Sequence, residues 1–439
     1  MVKKENLLFH IHFNQLGDNK IYQIIKHKST TLPILSMFTY QKNTTKRFIV
    51  SLDKPPKSRW LHVLNDPELR PFILSLMQNL SNLFADKDDP PPLQFKSRED
   101  FFTQLTNNLH VQLGKLGANE FIEEMKGIAL NLKVPIWDVA LLHLLYEAEG
   151  GGCTSIVLSS SSSEVLSAPL LGRVLDWDFA ELLTPLTIEV VFQKQGKVVM
   201  EGLTFAGYIG LLTAKRPNVC AVAIHYRNED LNVQDISPPS VESPAWPVAL
   251  LVRYVLQAPG LESFEEVVVL MQDMPLWAPC YIVLTGMSNE QVVVLSRETL
   301  KCNGLRKMNK NETILIQTKV NGEEDTGNNF MNSMDREQVV RTYFANVNEN
   351  KNQSNTFGRN KVEHLWKAMS LFPVLDVATV HACVFSACDD VCKMSSGIKV
   401  IDQEERQKAR TKEVNGLWNG GVVGVVVVCI VVALFIKYG

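Results

Sequence analysis

The sequence predicts an α+β chain, and three observations carry that expectation. Apolar residues recur at helical spacing over most of residues 47–152. At Cys153 the pattern changes to the alternation and β-branched runs of strands. From about residue 246 helical and strand-like segments alternate again. With 439 residues, 46% of them hydrophobic, the chain can bury a large core in one two-lobed domain or two domains. A formal net charge of -3 gives no reason to expect a nucleic-acid partner.

Taken in order, residues 1–46 read as irregular. Met1-Val2-Lys3-Lys4 is basic, but Leu7-Leu8-Phe9 is too short for the apolar region of a secretion signal. Residues 47–53 read as a strand, and Lys54-Pro55-Pro56-Lys57 as a turn. Phe72, Ile73, Leu76, Met77, Leu80, Leu83 and Phe84 share one helical face. A core-facing helix is the expected use of that face, and a helix dipping into a membrane is its functional alternative. A solvated loop at 86–92 is followed by helices at about 98–115 and 118–132, and by a third from Trp137 to Glu147. So residues 47–152 form a mostly helical region.

Strands fill residues 153–227, with a hairpin turn at Gln195-Gly196 and a loop at Ser159 to Ser163. Two helices occupy 246–275. Strands return at 281–285, 291–296 and 313–318, then a polar loop at 320–336, helices near 336–347 and 360–370, and a last strand at 377–386. Residues 396–416 are a charged linker. Residues 417–437 read as a transmembrane helix, with Asn419 as the strongly polar residue between Leu417 and Ile436; about 20 such residues span a bilayer. Trp418 and Tyr438 sit where interfacial anchors belong. Arg406, Lys408, Arg410 and Lys412 precede this span and Lys437 follows it, which by charge bias leaves the main body in the cytosol. Sequons at Asn43, Asn79, Asn311 and Asn352 permit the opposite, a glycosylated luminal body.

The stretch Gly150-Gly151-Gly152-Cys153-Thr154-Ser155-Ile156-Val157 is the one that points to chemistry. Small residues run into a strand that opens on a thiol. Twenty residues on, Gly172-Arg173-Val174-Leu175-Asp176 reads as a second strand, with a cation and a carboxylate three apart. A cut before Cys153 makes its thiol a nucleophile and its own α-amine, which titrates near ~7.7–8, a general base. Arg173 then favours the thiolate and Asp176 orients the amine. A buried structural Cys and a surface Arg–Asp pair are the bland alternatives. His143, His225 and His381 also admit a Cys–His pairing of the papain kind, although no papain-type signature surrounds Cys153. None of the eight cysteines forms a Cys-x-x-Cys zinc pattern. Cys383, Cys388 and Cys392, near His381, read as a buried thiol and one possible disulfide rather than a metal site, so neither metal nor cofactor is expected.

These motifs resemble the acid ceramidase and acid amidase family of N-terminal-nucleophile cysteine hydrolases. Cys-Thr-Ser-Ile-Val with Gly-Arg-x-Leu-Asp carries the resemblance, which runs from about Arg47 to Ala387. Ser51-Leu52-Asp53, Glu124-Met125-Lys126-Gly127-Ile128, Leu186-Thr187-Ile188, Phe205-Ala206-Gly207-Tyr208-Ile209-Gly210-Leu211, Tyr281-Ile282-Val283 and Gln317-Thr318 support it. Arg59-Trp60-Leu61 and Gly202-x-Thr204-Phe205 lean towards the acid amidase branch. The resemblance implies an αββα sandwich, with residues 47–152 as a helical α-subunit and 153–395 as a β-subunit, parted by self-cleavage and retained as a heterodimer. It implies hydrolysis of lipid amides, N-acylethanolamines or ceramide, at a membrane and in a lysosomal or other endomembrane lumen. Cys153, Arg173 and Asp176 match catalytic positions, and Arg336 matches an arginine near the acyl-binding site. Two positions depart. Tyr226, in His225-Tyr226-Arg227, stands where the family has Glu, and Lys319 stands where it has the Asn of its oxyanion hole. Loss of one oxyanion donor typically costs ~10²–10³ in turnover. Lys319 itself, or Asn321 two residues on, is the candidate replacement. A catalytically impaired, lipid-binding relative is therefore the alternative to an enzyme.

Overall fold

The computed structural model describes residues 45–84, 97–148, 151–159, 168–177, 180–227, 242–318, 333–349, 361–376 and 378–388. Residues 1–44, the loop at 86–92, Lys319, Asn321, the linker at 396–416 and the expected span at 417–437 lie outside these. Among the described residues no helix is long and apolar enough to cross a membrane.

Two sheets form the centre. The larger has eight strands in the order β1 (Lys46–Ser51), β4 (Thr187–Lys194), β5 (Lys197–Phe205), β6 (Thr213–Arg216), β7 (Cys220–Tyr226), β8 (Cys280–Thr285), β9 (Val292–Arg297) and β10 (Cys302–Lys307). The smaller has four: β11 (Ile314–Gln317), β2 (Cys153–Leu158), β3 (Leu170–Asp176) and β12 (Thr379–Phe385). Their facing sides share one apolar cluster, in which Val157, Leu171, Leu315 and Phe385 of the smaller sheet meet Leu203, Ala223, Val283 and Val294 of the larger. Strand alternation sends the neighbouring residues Ile156, Val174 and Val384 to the far side of the smaller sheet. There they pack against α8 (Ser333–Glu349) and α9 (Lys361–Met369) through Phe344, Leu365 and Met369.

The far side of the larger sheet is covered by the N-terminal helices α1 (Arg70–Phe84), α2 (Arg98–Lys115), α3 (Asn119–Leu132), α4 (Ile136–His143) and α5 (Leu145–Ala148). It is also covered by α6 (Val248–Gln257) and α7 (Phe264–Asp273). The architecture is thus helices, sheet, sheet, helices, as expected. Caps hold several helix ends: Ser97 accepts the Asp100 N–H at the start of α2, and Ser263 with Glu266 forms a reciprocal cap on α7.

Ile73, Leu76, Met77 and Leu80 of α1 are core residues, the core-facing use expected of that face. Elsewhere the structure adds to the sequence reading or departs from it. The helix expected from Trp137 to Glu147 breaks at Leu144 into α4 and α5. β10, absent from the sequence reading, is an exposed edge strand whose polar residues show no alternation. Strand β1 pairs in parallel with β4, from Lys46 opposite Ile188 to Ser51 opposite Gln193, so the mostly helical N-terminal region also contributes a strand to the large sheet. The hairpin turn at Gln195-Gly196 forms with φ of 50° and 72°, the left-handed geometry that a two-residue hairpin requires. Cys220, Cys280 and Cys302 are free thiols.

Candidate active site

Cys153 opens β2 in the second layer of the sandwich and is only 2% exposed. It lies opposite Leu175 of β3, and Ser155 lies opposite Arg173. Cross-strand partners project on one side of a sheet, so Cys153, Ser155 and Arg173 share the side that faces the larger sheet. There Arg173 Nη2 lies 2.9 Å from Cys153 Sγ and also donates to the Ile224 carbonyl of β7. Its Nε and Nη1 have no partner among the described residues. A buried guanidinium therefore rests against the sulfur with donors to spare, and the alternative of a surface Arg–Asp pair does not form.

Asp176 belongs to the opposite side of β3. Its carboxylate accepts from Arg336 of α8 and, at 2.6 Å, from the Thr379 hydroxyl. Arg336 spans to Asp376 as well, at 2.6 Å. Burial works against the Arg336 charge, but the carboxylates of Asp176 and Asp376 outweigh it and hold its pKa above the ordinary value. Arg336 thus braces Asp176 from the outer helix layer. The backbone of Asp176 touches the glycine segment before Cys153 directly, because its N–H donates to the Gly152 carbonyl at 2.9 Å. A Cβ on Gly151 would fall 1.8 Å from the Asp176 carbonyl oxygen, so only glycine permits this approach. The need for glycine here is closeness rather than a special φ.

Tyr226 and its neighbour divide between the two sides of β7. Tyr226 faces the helix layer, with its ring edge-on to Tyr146 at 5.9 Å. His225 faces the sheet interface, where its Nε2 lies 2.7 Å from Ser155 Oγ. Burial, then the Arg173 charge, pushes His225 well below its ordinary pKa, so it stays neutral. His143 is held by the Val139 carbonyl and the Ile209 N–H, and burial lowers it to about 4. His381 is lowered to about 3 by burial and by Arg173. Among the described residues the Cys153 sulfur meets Arg173 and the carbonyls of Gly151 and Ile224, while His225 bonds Ser155 and His143 bonds Val139 and Ile209, an arrangement unlike the papain-like pairing. Of the residues expected at the site, the structure gathers Cys153 and Arg173 at the sheet interface and Asp176 with Arg336 just behind it. Tyr226 stands apart on the other face of β7.

One carboxyl shortly before Cys153 in the chain escaped the sequence reading. Glu147, at the end of α5, takes one hydrogen bond from the Val248 N–H at 2.7 Å, while its Oε2 has no partner among the described residues. Burial pushes its pKa from the ordinary 4.5 up to about 7. Tyr146, Tyr208 and Cys280 are the titratable groups near it. A carboxyl that holds its proton more tightly when folded contributes stability below pH 4.5 and loses it as pH rises through 7. Glu147→Gln in a Cys153→Ala background is expected to stabilise the chain by roughly 2–3 kcal/mol at pH 8 and little at pH 5. Urea unfolding at the two pH values measures this, and equal effects at both would contradict it.

Comparison with known proteins finds no matching family model. It does find curated relatives. A Caenorhabditis elegans protein named N-acylethanolamine-hydrolyzing acid amidase is 29% identical over 284 residues, covering 62% of this chain and 74% of that one. The acid ceramidase of Bos taurus is 28% identical over 272 residues, covering 57% and 63%. This chain is a homologue of the acid amidases and acid ceramidases. It spans 63% of the length of the bovine ceramidase and 64% of the Mus musculus acid amidase, just under two thirds of each. Identities to the amidases (28–29%) and to the ceramidases (26–28%) overlap and favour neither branch. A solved C. elegans N-acylethanolamine-hydrolyzing acid amidase ortholog aligns over 57% of this chain and 100% of its own, with 25% identity and a TM-score of 0.47.

Proposed function

We propose that the chain is an N-terminal-nucleophile cysteine amidase that cuts itself before Cys153 and then hydrolyses lipid amides through an acyl-cysteine. The observation that carries this reading is the 2.9 Å contact of Arg173 Nη2 with Cys153 Sγ, one residue after a carbonyl held by the Asp176 N–H. In the first step the sulfur adds to the Gly152 carbonyl carbon and charge develops on its oxygen, where the Asp176 N–H already donates. The Gly152–Cys153 C–N bond then breaks, and the thiol proton passes to the leaving nitrogen. Water hydrolyses the thioester to a Gly152 carboxylate, which frees the thiol and the α-amine of Cys153. In turnover the same sulfur takes the acyl group of a fatty amide, the amine departs with a proton, and water releases the fatty acid. The unspent Nε and Nη1 of Arg173 are available to the substrate.

Asp176, braced by Arg336, is the positioning partner of the new α-amine. Lys319 and Asn321 remain the candidates for the donor that replaces the family Asn. Ceramides and N-acylethanolamines are both candidate substrates, and the processed fragments stay together as a heterodimer at a membrane of the endolysosomal lumen. The test is N-terminal sequencing of purified protein together with fatty-acid release at pH about 4.5–7. A fragment beginning at Cys153 and release that vanishes in Cys153→Ala are expected. Release that survives Cys153→Ala would sink the assignment.

A second reading has its own observation. Tyr226 is not a carboxylate and lies against Tyr146 rather than toward Cys153. If self-cleavage depends on a carboxylate at that position, the chain is a lipid-binding relative without turnover, seen as tight fatty-amide binding by an intact 439-residue chain.

A further inference from the structure

Folded interiors leave few polar groups without partners, and each such group costs about 1–3 kcal/mol. Near Cys153 several buried polar atoms have none among the described residues. They include both ring nitrogens of His381 and the hydroxyl of Tyr208. These two side chains are 2% and 3% exposed and face one narrow seam. Leu175, Thr204, Phe205 and Leu212 complete its walls. The seam as it stands is too narrow for a water molecule, so nothing in the closed chain compensates them.

The register locates this seam relative to the nucleophile. Cys153 lies opposite Leu175, and Leu175 lies opposite His381. Two strand spacings separate the sulfur's strand from that of the imidazole, about 10 Å. A substrate carbonyl about 3 Å from the sulfur, a two-carbon substituent on its nitrogen and one hydrogen bond of about 2.8 Å add to about that length. The chemistry of the walls selects the group at the end. His381 is neutral and offers one N–H and one bare nitrogen; Tyr208 offers a hydroxyl. The nearby Arg173 charge disfavours an ammonium. A hydroxyl fits, giving its proton to the bare nitrogen and accepting one from Tyr208. Apart from Thr204, whose hydroxyl is taken up by the Tyr208 and Gly210 carbonyls, the rest of the seam is apolar, with Phe205 tilted against Tyr208 at 6.2 Å, and suits a short methylene link.

We propose that this seam is the amine-side subsite of the substrate, where His381 and Tyr208 hold the hydroxyl of a hydroxylated amine head group once the site has opened. This rests on the amide-hydrolysis reading. It predicts discrimination between a fatty N-(2-hydroxyethyl) amide and the matching N-ethyl amide, which differ in that hydroxyl alone. The full-length, self-processed protein is assayed for kcat/KM on both amides. The nitrophenyl ester of the same fatty acid, which has no such head group, reports acyl transfer to Cys153. The native protein is expected to prefer the hydroxylated amide by about 10²-fold or more, because a site built to bond a hydroxyl leaves its own polar groups unpaired when the hydroxyl is missing. His381→Phe and Tyr208→Phe are each expected to cut that preference at least tenfold, read against each variant's own ester turnover. Tyr208→Phe keeps the ring stacked on His143 at 5.0 Å, so it tests the hydroxyl without disturbing the packing. An unchanged preference in Tyr208→Phe and His381→Phe, with ester turnover present, would overturn the subsite and leave the amidase reading intact. Absence of ester turnover in the native protein would overturn both.

Discussion

Glu124→Ala is expected to lower the stability of the fold by about 3–5 kcal/mol, or by roughly 3–7 °C in melting temperature. The carboxylate is buried between the N-terminal helices and α6. Oε1 accepts from Arg59 Nη1 and Arg253 Nη2, each at 2.7 Å, and Oε2 accepts from Trp60 Nε1 and Arg253 Nη1, each at 2.6 Å. Burial would raise its pKa, but the Arg253 charge and these hydrogen bonds win and hold it below the ordinary value. Its contribution is therefore present above pH 4.5 and fades as pH falls below that. Alanine strands Arg253 more than Arg59. Arg59 keeps Glu120 at 2.6 Å and the carbonyls of Lys54 and Leu52. Arg253 keeps the Ile209 carbonyl and the faces of Phe121 and Phe192, 4.7 and 4.8 Å away. Cation–π contacts of about 2 kcal/mol do not replace a desolvated carboxylate. Removing the second charge should therefore recover much of the loss, so Glu124→Ala with Arg253→Met should be more stable than Glu124→Ala alone. Urea unfolding of the three variants tests this, and a loss under 1 kcal/mol in the single variant would show that the ion pairs do not carry the junction. Glu124, Arg59 and Trp60 precede Cys153 and Arg253 follows it. If the chain is cut before Cys153, this cluster joins the two fragments alongside the β1–β4 pairing and the shared apolar core.

Arg173→Met is expected to behave in the opposite way, with self-cleavage and turnover falling by about 10²–10³-fold while the melting temperature holds or rises. The guanidinium is fully buried, and among the described residues only Nη2 has partners, the Cys153 sulfur and the Ile224 carbonyl. A buried cation with two idle nitrogens is costly to the fold, and methionine fills similar space without charge. The nucleophile loses the positive charge against its sulfur and the substrate loses two donors. Processing is followed by the appearance of a fragment starting at Cys153, and folding by calorimetry. Normal processing in a well-folded variant would remove Arg173 from the chemistry.

Much of the fold was legible in the chain. Helices α2, α3, α6, α7 and α9 follow the 3.6-residue recurrence of their apolar residues, because each has one face on the core. The Gln195-Gly196 turn was legible because few other pairs tolerate two positive φ values. What failed did so for identifiable reasons. β10 shows no alternation because it is an exposed edge that buries almost nothing. The break at Leu144 has no proline or glycine to announce it, and packing decides it. Part of the site was readable too: Cys153 opens β2, Arg173 lies twenty residues on in the middle of the neighbouring antiparallel β3, and two-residue alternation puts them on one side. The same alternation, applied to β7, would have sent His225 inward and Tyr226 outward.

The sequence by itself determined the local chemistry: a thiol behind glycines, a cation and a carboxylate on the next strand, and the periods that set helix and strand. It could do so because these depend on neighbours a few residues away. Only the tertiary structure decided that Arg336 braces Asp176 from 160 positions along the chain, and that Glu124 meets Arg253 across 129. It also decided that Lys46–Ser51 lies in parallel beside β4. Such partners are chosen by which surfaces the layers bring together once apolar faces are buried, and burial is also what turns a stray carboxyl such as Glu147 into a group that titrates at about 7.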